Sequence, residues 1–180
     1  MSAALPVVPP GIASHIVAVA NRHAIPVHLL AAIVAKESSF HPYAWNPEPA
    51  YVYLYDVTKG TRFRALTAGE RASEIPPPDF PRIGGDRDQE WWGQQSSWGL
   101  AQVMGAVARE HGFLGVFFPE LTDPETGLEY AGRFLANLLS RYPVEDAVSA
   151  YNAGHPTQAN EQTYVQPIMR WAAGYKAVGI

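Results

Sequence analysis

Cysteine is absent from this 180-residue chain, which excludes thiol nucleophiles, cysteine-ligated zinc or iron–sulfur sites and a disulfide scaffold. Positive charge is scarce: 13 Lys and Arg stand against 17 Asp and Glu, for a formal charge of −4. That balance argues against a nucleic-acid binder that works by neutralising phosphates. Long apolar runs are missing too. The longest aliphatic stretch is Leu29 to Ala35, far short of the roughly 20 residues that span a bilayer, so no membrane crossing is expected. Met1 to Pro10 carries no Lys or Arg and is broken by Pro6, Pro9 and Pro10, so no secretory leader is read there. The six His show no His-Glu-x-x-His spacing, and His15, His23 and His28 read as helix-surface residues.

What is present is a chain that is 47% hydrophobic and 17% charged, the composition of one globular domain with a real core. Ile12, Ile16, Val19 and Ala20 recur at helical spacing after Pro10. Pro26 opens a second helix whose apolar stripe carries Leu30, Ile33, Val34 and then Glu37. From Pro47 to Gln95 the texture changes, with six prolines, five glycines and little helical period. This segment reads as an insertion. Within it, Tyr51 to Val57 and Thr61 to Leu66 predict a β-hairpin turning at Lys59-Gly60, with one of its side-chain sets packed inward. Thr67 and Glu70 have capping-box spacing, and Asp86 to Gln95 predicts a short helix after Gly84-Gly85. Helical texture returns over Gly105 to His111. Asp123-Pro124 then opens a helix burying Leu128, Ala131, Leu135 and Leu138, Pro143 starts another, and a last one runs over Gln162 to Lys176 despite Pro167. The fold class expected is all-α with a small, irregular, partly β insertion.

Glu37 is the first candidate for chemistry, because an ionised carboxylate on an apolar stripe costs several kcal/mol (~2–5) unless it is paired or protonated. A carboxyl that keeps its proton near neutrality can protonate a poor leaving group such as a sugar oxygen. The bland reading is a helix-end Glu turned to solvent. The second cluster is Ser97 to Met104, where Gly99 permits close backbone approach and Gln102 offers an amide; the third is Ala150-Tyr-Asn-Ala-Gly154, ending a helix with polar tips at Tyr151 and Asn152. Each alone could be core and cap. Trp45, Trp91, Trp92 and Trp98 all lie between Glu37 and the second cluster or just inside it, where indoles can stack on sugar faces or fill a core.

Taken in order, Glu37-Ser-Ser-Phe40 before Pro42, Gly99-Leu-Ala-Gln-Val-Met104 and Ala150-Tyr-Asn-Ala-Gly154 resemble the Glu-Ser, Gly-Leu-Met-Gln and Ala-Tyr-Asn elements of the lytic transglycosylase family. Leu121 to Glu125 and Tyr164-Val165 are similar as well, and the resemblance spans about Ile12 to Trp171 apart from the insertion. It implies a goose-lysozyme-like helical fold and cleavage of the β-1,4 bond between N-acetylmuramic acid and N-acetylglucosamine in peptidoglycan. It further implies Glu37 as acid and then base, with 1,6-anhydromuramoyl ends, Tyr151 holding Glu37, and Ser38, Gln102 and Asn152 binding sugar. Trp98, Trp91 and Trp92 are added as candidate sugar platforms. No metal or organic cofactor is needed on this reading. The partner expected is the glycan strand, with no nucleic acid and a monomer favoured; the cell wall would be reached through phage- or secretion-system-dependent delivery, possible virion association included. Ala101 stands where the family has Met, which would shorten a wall of the cleft, and the insertion is expected to form a lid or wall over it. Two other readings stay open: a hydrolytic muramidase in which Asp86, Asp88 or Glu90 positions water, and a binding module of wall or virion that keeps the cleft without chemistry.

Overall fold

The computed structural model describes residues 4–180; Met1 to Ala3, the start of the stretch read as lacking a leader, lie outside the described residues. The helical frame consists of α1 (Pro10–Arg22), α2 (Val27–Ser38), α5 (Gly105–Glu110), α6 (Pro124–Leu139), α7 (Val144–Ala153) and α8 (Gln166–Ala177). Two short helices, α3 (Ala68–Arg71) and α4 (Arg87–Gln94), belong to the insertion. The mainly helical architecture with small antiparallel sheets is the one the sequence predicts. No helix among the described residues is long and apolar enough to cross a membrane.

The frame is centred on α2. Every residue from Leu29 to Ala35 is buried, so α2 is the core helix of the bundle rather than an amphipathic surface helix. It packs mainly on α8, with α1 beside it, and burial of a Leu or Ile here is worth roughly 1.5–3 kcal/mol each. α6 follows the reading closely: Asp123 accepts from the Thr126 N–H as N-cap, Pro124 takes the first turn, and Leu128, Ala131, Leu135 and Leu138 face inward. The last helix differs. A turn of 3₁₀-helix (Gln158–Asn160) and a π-helical segment (Glu161–Val165) precede α8, and Pro167 sits in the first turn of α8, directly after the change from π to α winding.

The insertion is closed at its base by pairing. β1 (Trp45–Pro47) lies antiparallel to β4 (Ser96–Trp98), with Pro47 opposite Ser96, and the Glu48 N–H donates to the Gln95 carbonyl. β5 (Val103–Met104) completes this sheet on the other side of β4. The hairpin is shorter than expected: only β2 (Tyr55–Asp56) and β3 (Thr61–Arg62) pair, extended by a bond from Phe63 N–H to the Leu54 carbonyl. The Asp56 carboxylate accepts from the Thr58 N–H and hydroxyl and the Lys59 N–H, which curls the chain at once. Tyr55 meanwhile gives its N–H and carbonyl to the Gln94 side-chain amide, which leaves no further strand to join. Thr67 and Glu70 form the capping box the sequence predicts.

The insertion has its own core, built of Leu54, Phe63, Leu66, Phe80 and Trp91, with Phe80 edge-on to both Phe63 and Trp91. A buried ion pair ties it to the frame. Glu90 takes two bonds of 2.8 Å from Arg109 of α5, and the same guanidinium donates to the carbonyls of Phe113 and Gly115. Gln94 adds a bond to Glu90, so hairpin, α4 and α5 are held in one polar chain. Each nitrogen of the guanidinium and both oxygens of the carboxylate have a partner, the condition under which a buried pair is tolerated.

Candidate active site

Helix α2 ends where the site begins. Ser39 and Phe40 both adopt left-handed backbone (φ 52° and 65°), which stops the helix, turns the chain and sends Phe40 into the core. Glu37 is thereby held on the last turn of α2, half-buried, at the edge of a cleft of about 940 Å³. Its carboxyl is pushed up to about 7, first by burial; Tyr164 and Lys36 pull it down and Glu48 pushes it further up. Tyr164 is buried, and its hydroxyl donates to Glu37 Oε1. Burial and the neighbouring carboxyl keep the Tyr164 proton on well above the usual tyrosine range, so this hydroxyl remains a donor.

Facing Glu37 is the turn after β4. Gly99 has φ 70°, and a Cβ there would stand 2.3 Å from the Leu121 carbonyl oxygen, so only glycine fits against that backbone. Gln102 is also left-handed (φ 47°), a conformation a side chain adopts only when its surroundings over-determine it. They do: its amide donates to the carbonyls of Ala44 and Gly99 and accepts from the Ser97 hydroxyl. Gln102 lines the cleft, and both of its amide protons are already bound to the protein, so it shapes the turn and has only the second lone pair of its amide oxygen left for a sugar.

Other expected ligands are redistributed as well. Ser38 donates 2.7 Å to the Leu100 carbonyl and also contacts Val34, so it ties α2 to the Gly99 turn and does not line the cleft. Tyr151 is buried and donates to the Ala101 carbonyl, not to Glu37; the residue that holds the acid is Tyr164. Ala101 itself is 1% exposed and takes no part in the cleft wall, so the expected shortening of that wall does not arise from it. Asn152 is exposed in the cleft, at the end of α7, where Gly154 provides the left-handed cap. Its Oδ1 accepts from Asn160, which leaves its NH₂ as the outward donor. Asn160 is fixed in turn by Ser149, and the same buried cluster starts the π segment that presents Tyr164.

None of the three tryptophans expected as sugar platforms lines the cleft, although Trp92 is exposed. Trp91 is 2% exposed in the insertion core, and no sugar face can reach it. Trp98 donates to the Gly93 carbonyl and stacks on Phe118, and neither it nor Trp92 lines the cleft. The insertion carboxylates are elsewhere too: Asp86 caps α4, Asp88 is exposed in its first turn, and Glu90 is locked to Arg109. Glu48, which the sequence reading passed over, is the insertion carboxylate that lines the cleft, together with Tyr51, Tyr53 and Arg62. Its only signal in the sequence is its place directly after Pro47, where the insertion leaves the sheet.

A helical domain that closes a cleft around one half-buried, neutral-leaning carboxyl is built for general-acid cleavage. The model of the Transglycosylase SLT domain matches residues 14–171, and the chain belongs to that family. At family level this means lytic transglycosylase activity on peptidoglycan. No curated protein and no solved structure matches the chain.

Proposed function

We propose that Glu37 alone performs both proton transfers of a lytic transglycosylase on the bond between N-acetylmuramic acid and N-acetylglucosamine. The observation that carries this reading is the Glu37 carboxyl itself, on the cleft, raised to about 7 by burial and held by the Tyr164 hydroxyl. In its neutral form Glu37 protonates the glycosidic oxygen, and the bond to C1 breaks. Charge developing at C1 is relieved by the N-acetyl group of the substrate. The carboxylate left behind accepts the Tyr164 hydrogen bond, then takes the proton from the C6 hydroxyl as that oxygen closes on C1. Glu37 returns to its starting state, and the product is a 1,6-anhydro end with no water added. The free NH₂ of Asn152 supplies a donor to sugar carbonyl or hydroxyl oxygen, while Gln102, Ser38 and Tyr151 act by fixing the turn that faces the acid.

Hydrolysis of the same bond is the second reading, favoured by one observation: Glu48 shares the cleft and sits close enough to raise the Glu37 carboxyl. A second carboxylate could orient a water toward C1. Mass spectrometry of digested peptidoglycan separates the two, since anhydro ends are lighter than reducing ends by one water. Predominantly anhydro ends, absent with Glu37→Gln, are expected; predominantly reducing ends would replace transglycosylation by hydrolysis.

A further inference from the structure

The cleft is larger than one reacting bond requires, and its lining changes along the chain. At about 940 Å³ it stands at the upper end of ligand pockets, roughly 300–1,000 Å³. The frame contributes Glu37, Glu110, neutral polar groups such as Ser97, Gln102 and Asn152, and one guanidinium, Arg141 just past α6, and the insertion contributes a second guanidinium, Arg62 of β3. The Arg62 guanidinium lies 4.5 Å over the ring of Tyr53, and both residues are exposed on the cleft. Among the described residues neither Arg62 nor Arg141 has a carboxylate within ion-pair distance, in contrast to Arg22, Arg64, Arg109 and Arg133, but Arg141 spends a bond on the Tyr142 hydroxyl whereas Arg62 has no side-chain hydrogen bond. Stacking on a ring holds a guanidinium flat while leaving its in-plane N–H groups for a carboxylate, the geometry of bidentate recognition.

The whole chain carries −4, so it does not attract an acidic polymer at long range. An acidic ligand must find a local cation in the cleft. Peptidoglycan differs from neutral N-acetylglucosamine polymers by the lactyl group on its muramoyl sugars, which ends in a carboxylate or carries an acidic peptide. We propose that Arg62, stacked on Tyr53, binds a carboxylate of this lactyl-peptide arm, so that the insertion selects strands bearing it. This rests on peptidoglycan being the substrate. The nearby acidic groups Glu48 and Glu110, which both act on Tyr51, offer the competing role for Arg62 of balancing charge within the protein.

The test compares wild type with Arg62→Gln and Arg62→Lys on peptide-bearing peptidoglycan and on amidase-stripped strands, which expose free lactyl carboxylates. Binding of muramyl dipeptide and of neutral chitooligosaccharide to the same three proteins is titrated in parallel, with thermal unfolding as the check on folding. A charge-assisted bond predicts about a tenfold loss of kcat/KM and of dipeptide affinity with Arg62→Gln, partly recovered by Arg62→Lys, with chitooligosaccharide binding retained. Loss on peptide-bearing strands alone assigns the contact to a stem-peptide carboxylate, loss on stripped strands alone assigns it to the free lactyl carboxylate, and loss on both means that Arg62 takes whichever carboxylate ends the arm. Unchanged kcat/KM on both strand types, or an equal loss for the neutral oligosaccharide, overturns the proposal. Wild type that binds the dipeptide through Arg62 but cleaves neither strand would overturn the transglycosylase reading and leave this one standing.

Discussion

The helical frame and the insertion hold their polar groups in opposite ways. In the frame, the motif residues satisfy one another across turns: Ser38 bonds the Leu100 carbonyl, Tyr151 that of Ala101, and Gln102 those of Ala44 and Gly99. Those bonds leave Glu37 with one side-chain donor, Tyr164, in a half-buried setting. The insertion stands on a core of five apolar side chains, is tied to the frame by the buried Glu90–Arg109 pair, and turns Glu48, Tyr51, Tyr53 and Arg62 toward the cleft. The acid is therefore tuned mainly by the frame, with Glu48 as the insertion's smaller influence, while the insertion adds a carboxylate, a guanidinium and two tyrosines to the charged and aromatic groups that the frame already brings to the cleft. A substitution in one region should change chemistry and in the other should change stability or selectivity.

Glu37→Gln tests the frame at its strongest point. The amide keeps the shape and cannot transfer the proton, so kcat should fall by about 10²- to 10⁴-fold. Stability should move the other way. The folded carboxyl, at about 7, holds its proton more tightly than the ordinary value of 4.5, so wild-type stability declines as pH rises through that window. The variant escapes the decline and should gain about 1–3 kcal/mol at pH 7 and above, with no gain below pH 4.5. Denaturant unfolding at pH 4 and pH 8 reads both limits; near-wild-type activity would remove Glu37 from the chemistry.

Trp91→Ala is the matching test of the insertion. Trp91 fills the small core against Phe80, and truncation of a buried aromatic typically costs about 3–5 kcal/mol. Thermal unfolding should drop sharply, with the insertion opening before the frame, while turnover by molecules still folded changes little. A loss of glycan affinity at unchanged stability would instead return Trp91 to the substrate site.

Most of the frame was legible in the sequence because its signals are local. Asp123-Pro124 marks a helix start, and Leu128, Ala131, Leu135 and Leu138 mark one face by spacing alone. Glu37 was legible for a related reason, a carboxylate in an apolar stripe. Its partner was not. Tyr164 lies 127 residues away and reaches Glu37 only through a π-helical segment that no spacing rule announces. The insertion core was hidden likewise: Leu54, Phe63, Leu66, Phe80 and Trp91 share no period, so the indole at Trp91 reads equally as sugar platform or as filler until the chain is folded. Glu90 appeared among acidic residues at a helix start, and only the approach of Arg109 shows that it is spoken for.

Tyr164→Phe sharpens the boundary between the two regions from the frame side. Removing the hydroxyl removes a bond that pulls the Glu37 carboxyl down, so its pKa should rise above 7. The protonated acid then persists to higher pH, and the falling limb of kcat/KM should shift upward. The carboxylate formed after proton donation loses its donor, so the plateau should drop by about tenfold. An unmoved limb in the pH–rate profile would show that Tyr164 only packs.

Glu48→Gln approaches the same carboxyl from the insertion and should give the smallest effect. Glu48 is one of the weaker influences on Glu37, behind burial, Tyr164 and Lys36, and it acts to raise the carboxyl. Removing its charge should lower the Glu37 pKa, moving the falling limb of kcat/KM to lower pH, opposite in sign to Tyr164→Phe. Below that limb the rate should stay close to wild type, because a single acid that is also the base needs no second carboxylate. Product analysis on the same digests separates tuning from chemistry. If Glu48 only tunes, anhydro ends persist in unchanged proportion while the profile shifts. If Glu48 orients water, the variant loses reducing ends and rate together, and the insertion then belongs to the reaction as well as to the cleft wall.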